Sequence, residues 1–199
     1  MKKVYILLFQ LLLWNMCVAQ KADSVACPLE GRTPNDMARR MNVLKNRDIT
    51  AGPVNRDVTI DSILKGGRED TGRYKLTELM TVTGYVLGAD DSGPESCNCF
   101  SNDTTKQNIK IYLGQSINSW KDSVMVVEIT PKLKKLHPEI YADGLTGQQI
   151  TITGYMMYNF EAKRFALNAC KTCRTTDRKT AWEICPVTDI KVLSAMAKK

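Results

Sequence analysis

Histidine is nearly absent from this chain: His137 is the only one in 199 residues. A Ser-His-Asp or Cys-His centre would have to be built on that residue. It sits between Leu136 and Pro138 at an expected helix end, where a cap or surface position is the default, and nothing in the sequence marks a partner for it. There is no Gly-x-Ser-x-Gly elbow, no glycine loop that could cradle a phosphate and no His-rich metal motif. Internal repeats and low-complexity tracts are missing too. No apolar run beyond the first residues is long enough to cross a bilayer. These absences disfavour the common hydrolase and nucleotide-dependent chemistries and leave an ordinary globular composition, with 43% hydrophobic and 25% charged residues.

What is present begins with an export signal. Lys2 and Lys3 precede an apolar run over residues 4–14, and the pattern predicts a signal peptide over residues 1–20, cut after Ala19 or Gln20. A lipid anchor on Cys17 is disfavoured by the bulky Trp14-Asn15-Met16 before it. Removing Lys2 and Lys3 lowers the formal charge from +7 to +5, which allows a polyanionic partner without demanding one. The expected organisation is a signal peptide (1–20), an N-terminal arm with a short helix (21–56) and one domain (57–195), exported to a periplasmic or extracellular setting.

Thr33-Pro34-Asn35-Asp36 reads as a helix start, and Met37, Met41 and Leu44 form an apolar stripe behind it. Residues 48–56 read as a linker, and 58–64 fit either a strand or a helical turn. Strands are predicted over 76–87, 108–113, 122–129, 149–158 and 182–193, with a short helix after Thr130-Pro131 that Pro138 ends. Gly84 and Gly154 lie inside two of these strands and predict a bulge or sharp bend. The fold class is therefore mainly β: a five-stranded OB-like barrel with one short helix between its third and fourth strands, plus the helical N-terminal arm. An α+β sandwich is the rival with the same element order.

In such a barrel the loops after the first and fourth strands flank one binding face. Here they hold Cys97 and Cys99, and Cys170 and Cys173, so both pairs are expected to converge, with Cys185 close below and Cys27 on the arm. In an oxidising compartment an even set of six reads as disulfides, including a bridge between the two loops, with the pairing open. The alternative is a four-thiolate zinc cage of Cys97, Cys99, Cys170 and Cys173; otherwise no cofactor is called for. A redox pair at Cys170/Cys173 fails on context, because it lies in a polar loop rather than at a helix start.

The second loop also carries Lys163, Arg164, Lys171, Arg174, Arg178 and Lys179 against Glu161 and Asp177, while the first is acidic. With Tyr155 and Tyr158 at the end of the preceding strand, Lys163, Arg164, Lys171, Arg174 and Arg178 are the candidate ligand-binding residues. The bland alternative is that the two loops complement each other or are both solvated. Lys132, Lys134 and Lys135 on the short helix read as a solvated face.

Several segments carry a resemblance. Leu44-Lys45-Asn46-Arg47, Glu95-Ser96-Cys97-Asn98-Cys99, Val126-Val127-Glu128-Ile129-Thr130-Pro131, Thr151-Ile152-Thr153-Gly154-Tyr155 and Thr180-Ala181-Trp182-Glu183-Ile184-Cys185-Pro186-Val187-Thr188 together resemble a group of uncharacterised exported bacterial proteins with an OB-like fold. That group's pattern has His where this chain has Cys185. It has an Asp-Thr-His-Ile-Glu-like strand where this chain reads Lys106-Gln107-Asn108-Ile109-Lys110, and a further His near residues 159–161. If those histidines bind metal or catalyse in the group, this chain has lost them. The resemblance implies fold and export, and no activity.

The sequence thus points to an exported, disulfide-stapled OB-like binding or interaction module rather than an enzyme. The sequence leaves its ligand and partner open, with a polyanion or another envelope protein as the candidates. Nucleic-acid or polyanion binding through residues 159–180 is one specific alternative. A metal-dependent hydrolase with a degenerate site, using Cys185 and loop groups, is the other.

Overall fold

The computed structural model describes residues 26–65, 71–120, 123–170, 172–173 and 176–194. The signal-peptide reading falls on residues 1–20, outside this range. A 13-residue strand, β2 (Leu79–Asp91), organises the fold. Its first half pairs antiparallel with β5 (Gln149–Tyr158) and its second half with β3 (Ile109–Gly114), the handover falling at Tyr85. Gly84 sits at this crossing, where an added Cβ would lie 2.7 Å from the Gly114 carbonyl oxygen, so the absence of a side chain permits the close approach. β3 continues antiparallel into β4 (Val124–Ile129), β4 pairs parallel with β6 (Trp182–Ser194), and β6 pairs antiparallel with β5. Since β5 returns to β2, five strands close into a mixed barrel, which removes the free edges an α+β sandwich would leave. A two-residue strand, β1 (Val54–Asn55), adds outside it, parallel to the start of β2.

Helices are few. α1 (Asp36–Asn46) precedes the barrel, and α2 (Ile60–Leu64) is a capped turn at the segment that fitted either element. α3 (Pro131–Leu136) and α4 (Ala142–Leu145) lie between β4 and β5. A separate helical N-terminal arm over 21–56 is not supported, but its short helix packs on the main domain, as expected. α1 is docked on the barrel, where Met41 packs against Met157 and Cys185.

The barrel core holds Met80, Val82, Ile109, Ile111, Met125, Val127, Ile152 and Ile184, with Trp182 edge-on to Tyr74 and Tyr158 at 5.0 and 5.3 Å. Alternation then sends Asn108, Lys110 and Tyr112 of the β3 region, Glu128 of β4 and Glu183 of β6 to the opposite, outer face. One bulge extends that set. Gly154 pairs with Val187 and Met156 with Ile184, so Cys185 and Pro186 together oppose Tyr155. The extra residue lets Ile184 and Val187 both point inward while Cys185 joins the outer face. All six residues of β4 are buried, because this outer face is itself covered.

Candidate functional site

The cover is α1 and two loops. Asn35 caps α1 by accepting from the Ala38 amide at 3.1 Å. The expected stripe of Met37, Met41 and Leu44 is rotated: the buried face is Ala38, Met41, Asn42 and Lys45, and Met37 is 48% exposed. Polar anchors cause the rotation. Asn42 Nδ2 donates to the Glu30 carbonyl at 2.8 Å, and its Oδ1 accepts from Ser96 Oγ at 3.2 Å. Asn46 Nδ2 donates to the carbonyls of Leu29 and Cys97, both at 3.0 Å.

This geometry drives Lys45 down onto the sheet. Its Nζ stands 3.1 Å from Glu128 and 3.4 Å from Glu95. Glu128 also accepts from Asn108 Nδ2 at 3.0 Å and from the Cys185 thiol at 3.5 Å, while the Cys97 thiol donates to Glu95 at 3.3 Å. A second carboxylate, Glu183, accepts from Arg178 Nη1 at 3.1 Å and from Asn159 Nδ2 at 3.0 and 3.1 Å. Arg178 is held in turn by Asp177 at 3.1 Å, and Asp177 accepts from Lys110 at 3.3 Å and Tyr112 at 3.2 Å. Lys45, Glu128, Glu183 and Arg178 are all buried.

Burial alone would lower the Lys45 pKa, but Glu128, Glu95 and Glu183 more than offset it and hold the ammonium well above its ordinary value. Burial would likewise raise Glu128, yet Lys45, Arg178 and Asn108 bring it below the usual glutamate range. Glu183 goes the other way: burial, reinforced by Glu128, pushes it up to about 7 against the pull of Lys45 and Arg178. Two carboxylates this close do not both ionise freely, and Glu183 is the one that takes up a proton. Burial raises the Cys97 and Cys185 thiols, so both stay protonated at neutral pH and neither has the thiolate character of a nucleophile. Glu128, Glu183 and Cys185 place potential ligand atoms within 4.8 Å of one another, a donor set suited to a borderline divalent cation. The Lys45 ammonium already supplies positive charge there.

Searched against protein-family models the chain matches none, and no curated protein matches it significantly.

The cysteines pair differently from expectation. Cys27 bonds to Cys99, tying the segment before α1 to the loop after β2, while Cys170 bonds to Cys173 within its own loop. Cys97 and Cys185 are free and buried. The bridge between the two loops is therefore not formed. Nor is the four-thiolate cage, since three of its sulfurs sit in disulfides. Two different ends explain this. The loop after β2 turns toward α1, whereas the loop after β5 runs back past the start of β4, with the Lys179 amide on the Val124 carbonyl at 2.8 Å and Asn168 Nδ2 on the Leu64 carbonyl at 3.4 Å.

The candidate ligand-binding residues are also divided. Lys163 and Arg164 are exposed, and Lys171 and Arg174 lie outside the described residues. Arg178 is buried in the ionic layer rather than on a lip. Tyr158 is in the core. Tyr155 bonds Thr50 Oγ1 at 2.8 Å and lies beneath the Arg47 guanidinium, 4.1 Å from the ring centre. Sequence reasoning missed Lys45, Glu95, Glu128 and Glu183 as a unit. A signal existed for two of them: Glu128 and Glu183 are lone acids within apolar strand segments, Val126-Val127-Glu128-Ile129 and Trp182-Glu183-Ile184.

Beside this layer a cleft of about 750 Å³ opens between residues 91–109 and the α3–α4 segment. Asn98 and Asn108 reach it from the side of the ionic layer, Thr130 and Pro131 from the start of α3, and Ile140 and Tyr141 from before α4. Of the expected solvated face, Lys132 and Lys135 are exposed, while Lys134 is half-buried. Lys132 Nζ bonds the Asn46 carbonyl at 2.6 Å and Asp48 at 2.8 Å, and Lys134 Nζ bonds the Thr104 carbonyl at 2.8 Å.

Proposed function

We propose that this protein is an exported OB-type binding module that takes a small ligand in the cleft beside its own capping helix. Counted from β2, the barrel strands are ordered first, second, third, fifth, fourth and back to first, with helix between the third and fourth. That order supports the OB assignment. Two disulfides suit an oxidising compartment. The observation that carries the reading is the covered outer face. The surface an OB barrel uses for ligands is filled by α1, with Lys45 seated on Glu128, and the nearby room for a molecule is the adjoining cleft. Glu128, locked to Lys45, and the protonated thiols of Cys97 and Cys185 are poor catalytic groups, which favours binding over turnover. Withdrawal of Arg178 and Tyr158 from the surface weakens the polyanion alternative, although Lys163 and Arg164 remain available to it.

A fragment screen followed by amide NMR shifts tests the proposal. Ligands that perturb Asn98, Thr130 and Ile140 support it. Hits confined to residues 159–165, with affinity that falls steeply with salt, would replace it with polyanion binding.

The 4.8 Å grouping of Glu128, Glu183 and Cys185 favours a second reading, a cation centre in which Lys45 is displaced. Elemental analysis of protein purified without reductant or chelator decides it: a stoichiometric divalent metal, lost in Glu128→Gln, supports the centre, and less than a tenth of an equivalent on the order of background removes it.

A further inference from the structure

We infer that the cleft binds an organic monoanion with an apolar body, its carboxylate received by Thr130 and Lys135; this rests on the cleft being the ligand site. The starting point is a hydroxyl. Thr130 is only 3% exposed, lines the cleft, and its Oγ1 has no hydrogen-bond partner; as the residue capping α3 it makes no side-chain cap bond. A buried hydroxyl left without a partner is destabilising, a cost that a bound acceptor removes. The charge around it is positive. Lys106, Lys132, Lys134 and Lys135 line the cleft, against Asp91.

Those four lysines are not equivalent. Lys132 is committed to Asn46 and Asp48, Lys134 to Thr104, Gln107 and Asp91, and Lys106 lies 3.7 Å from Asp103. Lys135 is exposed and carries no such tie among the described residues, so the uncompensated charge amounts to about one unit. That suits a single carboxylate better than a polyphosphate. Much of the remaining lining is apolar, interspersed with Asn98, Asn108 and Thr104: Leu29 and Tyr141 stand 52% and 61% exposed at the cleft, beside Pro131, Pro138 and Ile140. A cleft of about 750 Å³ has room for a chain or ring system of a dozen or so carbon atoms.

Dodecanoate, used below its micelle concentration, is the probe, and dodecanol is its uncharged counterpart. Calorimetric titration of the oxidised protein, with amide shifts to locate the site, should show dodecanoate binding at Thr130, Ile140 and Tyr141 at least tenfold more tightly than dodecanol. Thr130→Val and Lys135→Met should each weaken dodecanoate about fivefold to tenfold. Thr130→Val should also leave thermal stability equal or higher, since it deletes an unpaired hydroxyl; that sign separates a ligand role from a structural one. Lys191→Met, on β6, serves as the control and should change nothing. Equal binding of dodecanol and dodecanoate in the cleft would overturn the anion assignment while leaving the binding-module reading standing. Failure of both probes, and of a fragment library, to perturb the cleft would overturn both.

Discussion

Replacing Lys45 by methionine probes the centre of the structure. The side chain keeps its length and apolar stem, so packing beneath α1 changes little, but Glu128 loses the cation 3.1 Å away and Glu95 the one 3.4 Å away. Removing one partner of a buried ion pair destabilises by roughly 3–5 kcal/mol. For a domain of this size that is a fall in Tm of roughly 6–20 °C. The pH dependence is the sharper test. In the native protein Glu128 sits below its ordinary pKa, so its contribution is present above that value and is lost as pH falls. Glu183 is raised from 4.5 to about 7, so the folded state binds the extra proton and its contribution declines as pH rises through that window. Without Lys45, Glu128 is pushed upward as well, and both acids then oppose folding as pH rises. The stability gap between native protein and Lys45→Met, measured by urea unfolding from pH 4.5 to 8.5, should therefore widen with pH. Adding Glu128→Gln to Lys45→Met should recover about half the loss or more, because a neutral amide needs no cation. A gap that stays constant with pH, or stability indistinguishable from the native protein at pH 8, would refute the electrostatic account of this layer.

Three further outcomes follow from the same geometry. Thiol titration of oxidised protein lacking residues 1–20, and so Cys17, should find Cys97 and Cys185 unreactive when folded and two thiols on unfolding in denaturant; rapid labelling of either in the folded protein would contradict their burial. Replacing Cys27 and Cys99 together by serine should cost about 4 kcal/mol by loop closure over 72 residues, whereas the Cys170–Cys173 link, with a separation of 3, should contribute less than about 2 kcal/mol; chemical unfolding of the two double variants checks the ranking. Gly154→Ala places a methyl 2.7 Å from the Pro186 carbonyl oxygen at the bulge and should destabilise by about 1–3 kcal/mol, visible as a lowered unfolding midpoint.

The barrel itself was legible in the chain. Period-two alternation, Gly84 and Gly154 inside long strands, and Thr130-Pro131 opening a helix are local features, and each constrains backbone geometry within a few residues. The strand limits agree closely: Gln149–Tyr158 coincides with expectation, and β2 starts three residues later than expected and runs four further. Local pattern could not say which sulfurs meet, since any of the six could pair with any other until the loops have directions. Nor could it say which face of α1 is buried. Met37 looked as apolar as Met41, and the helix turned instead on Asn42, Asn46 and Lys45 finding partners more than fifty residues away.

Sequence alone determined the succession of strands and helix along the chain, the mid-strand bends and the scarcity of catalytic residue types, because these depend on near-neighbour sterics and on residue chemistry. Tertiary structure alone decided that Lys45, Glu95, Glu128, Glu183, Cys97 and Cys185 form one buried layer, and that Arg178 belongs to it. A charge in an apolar segment is costly until a distant opposite charge is brought to about 3 Å, and only the closed barrel with α1 lying across it sets that distance.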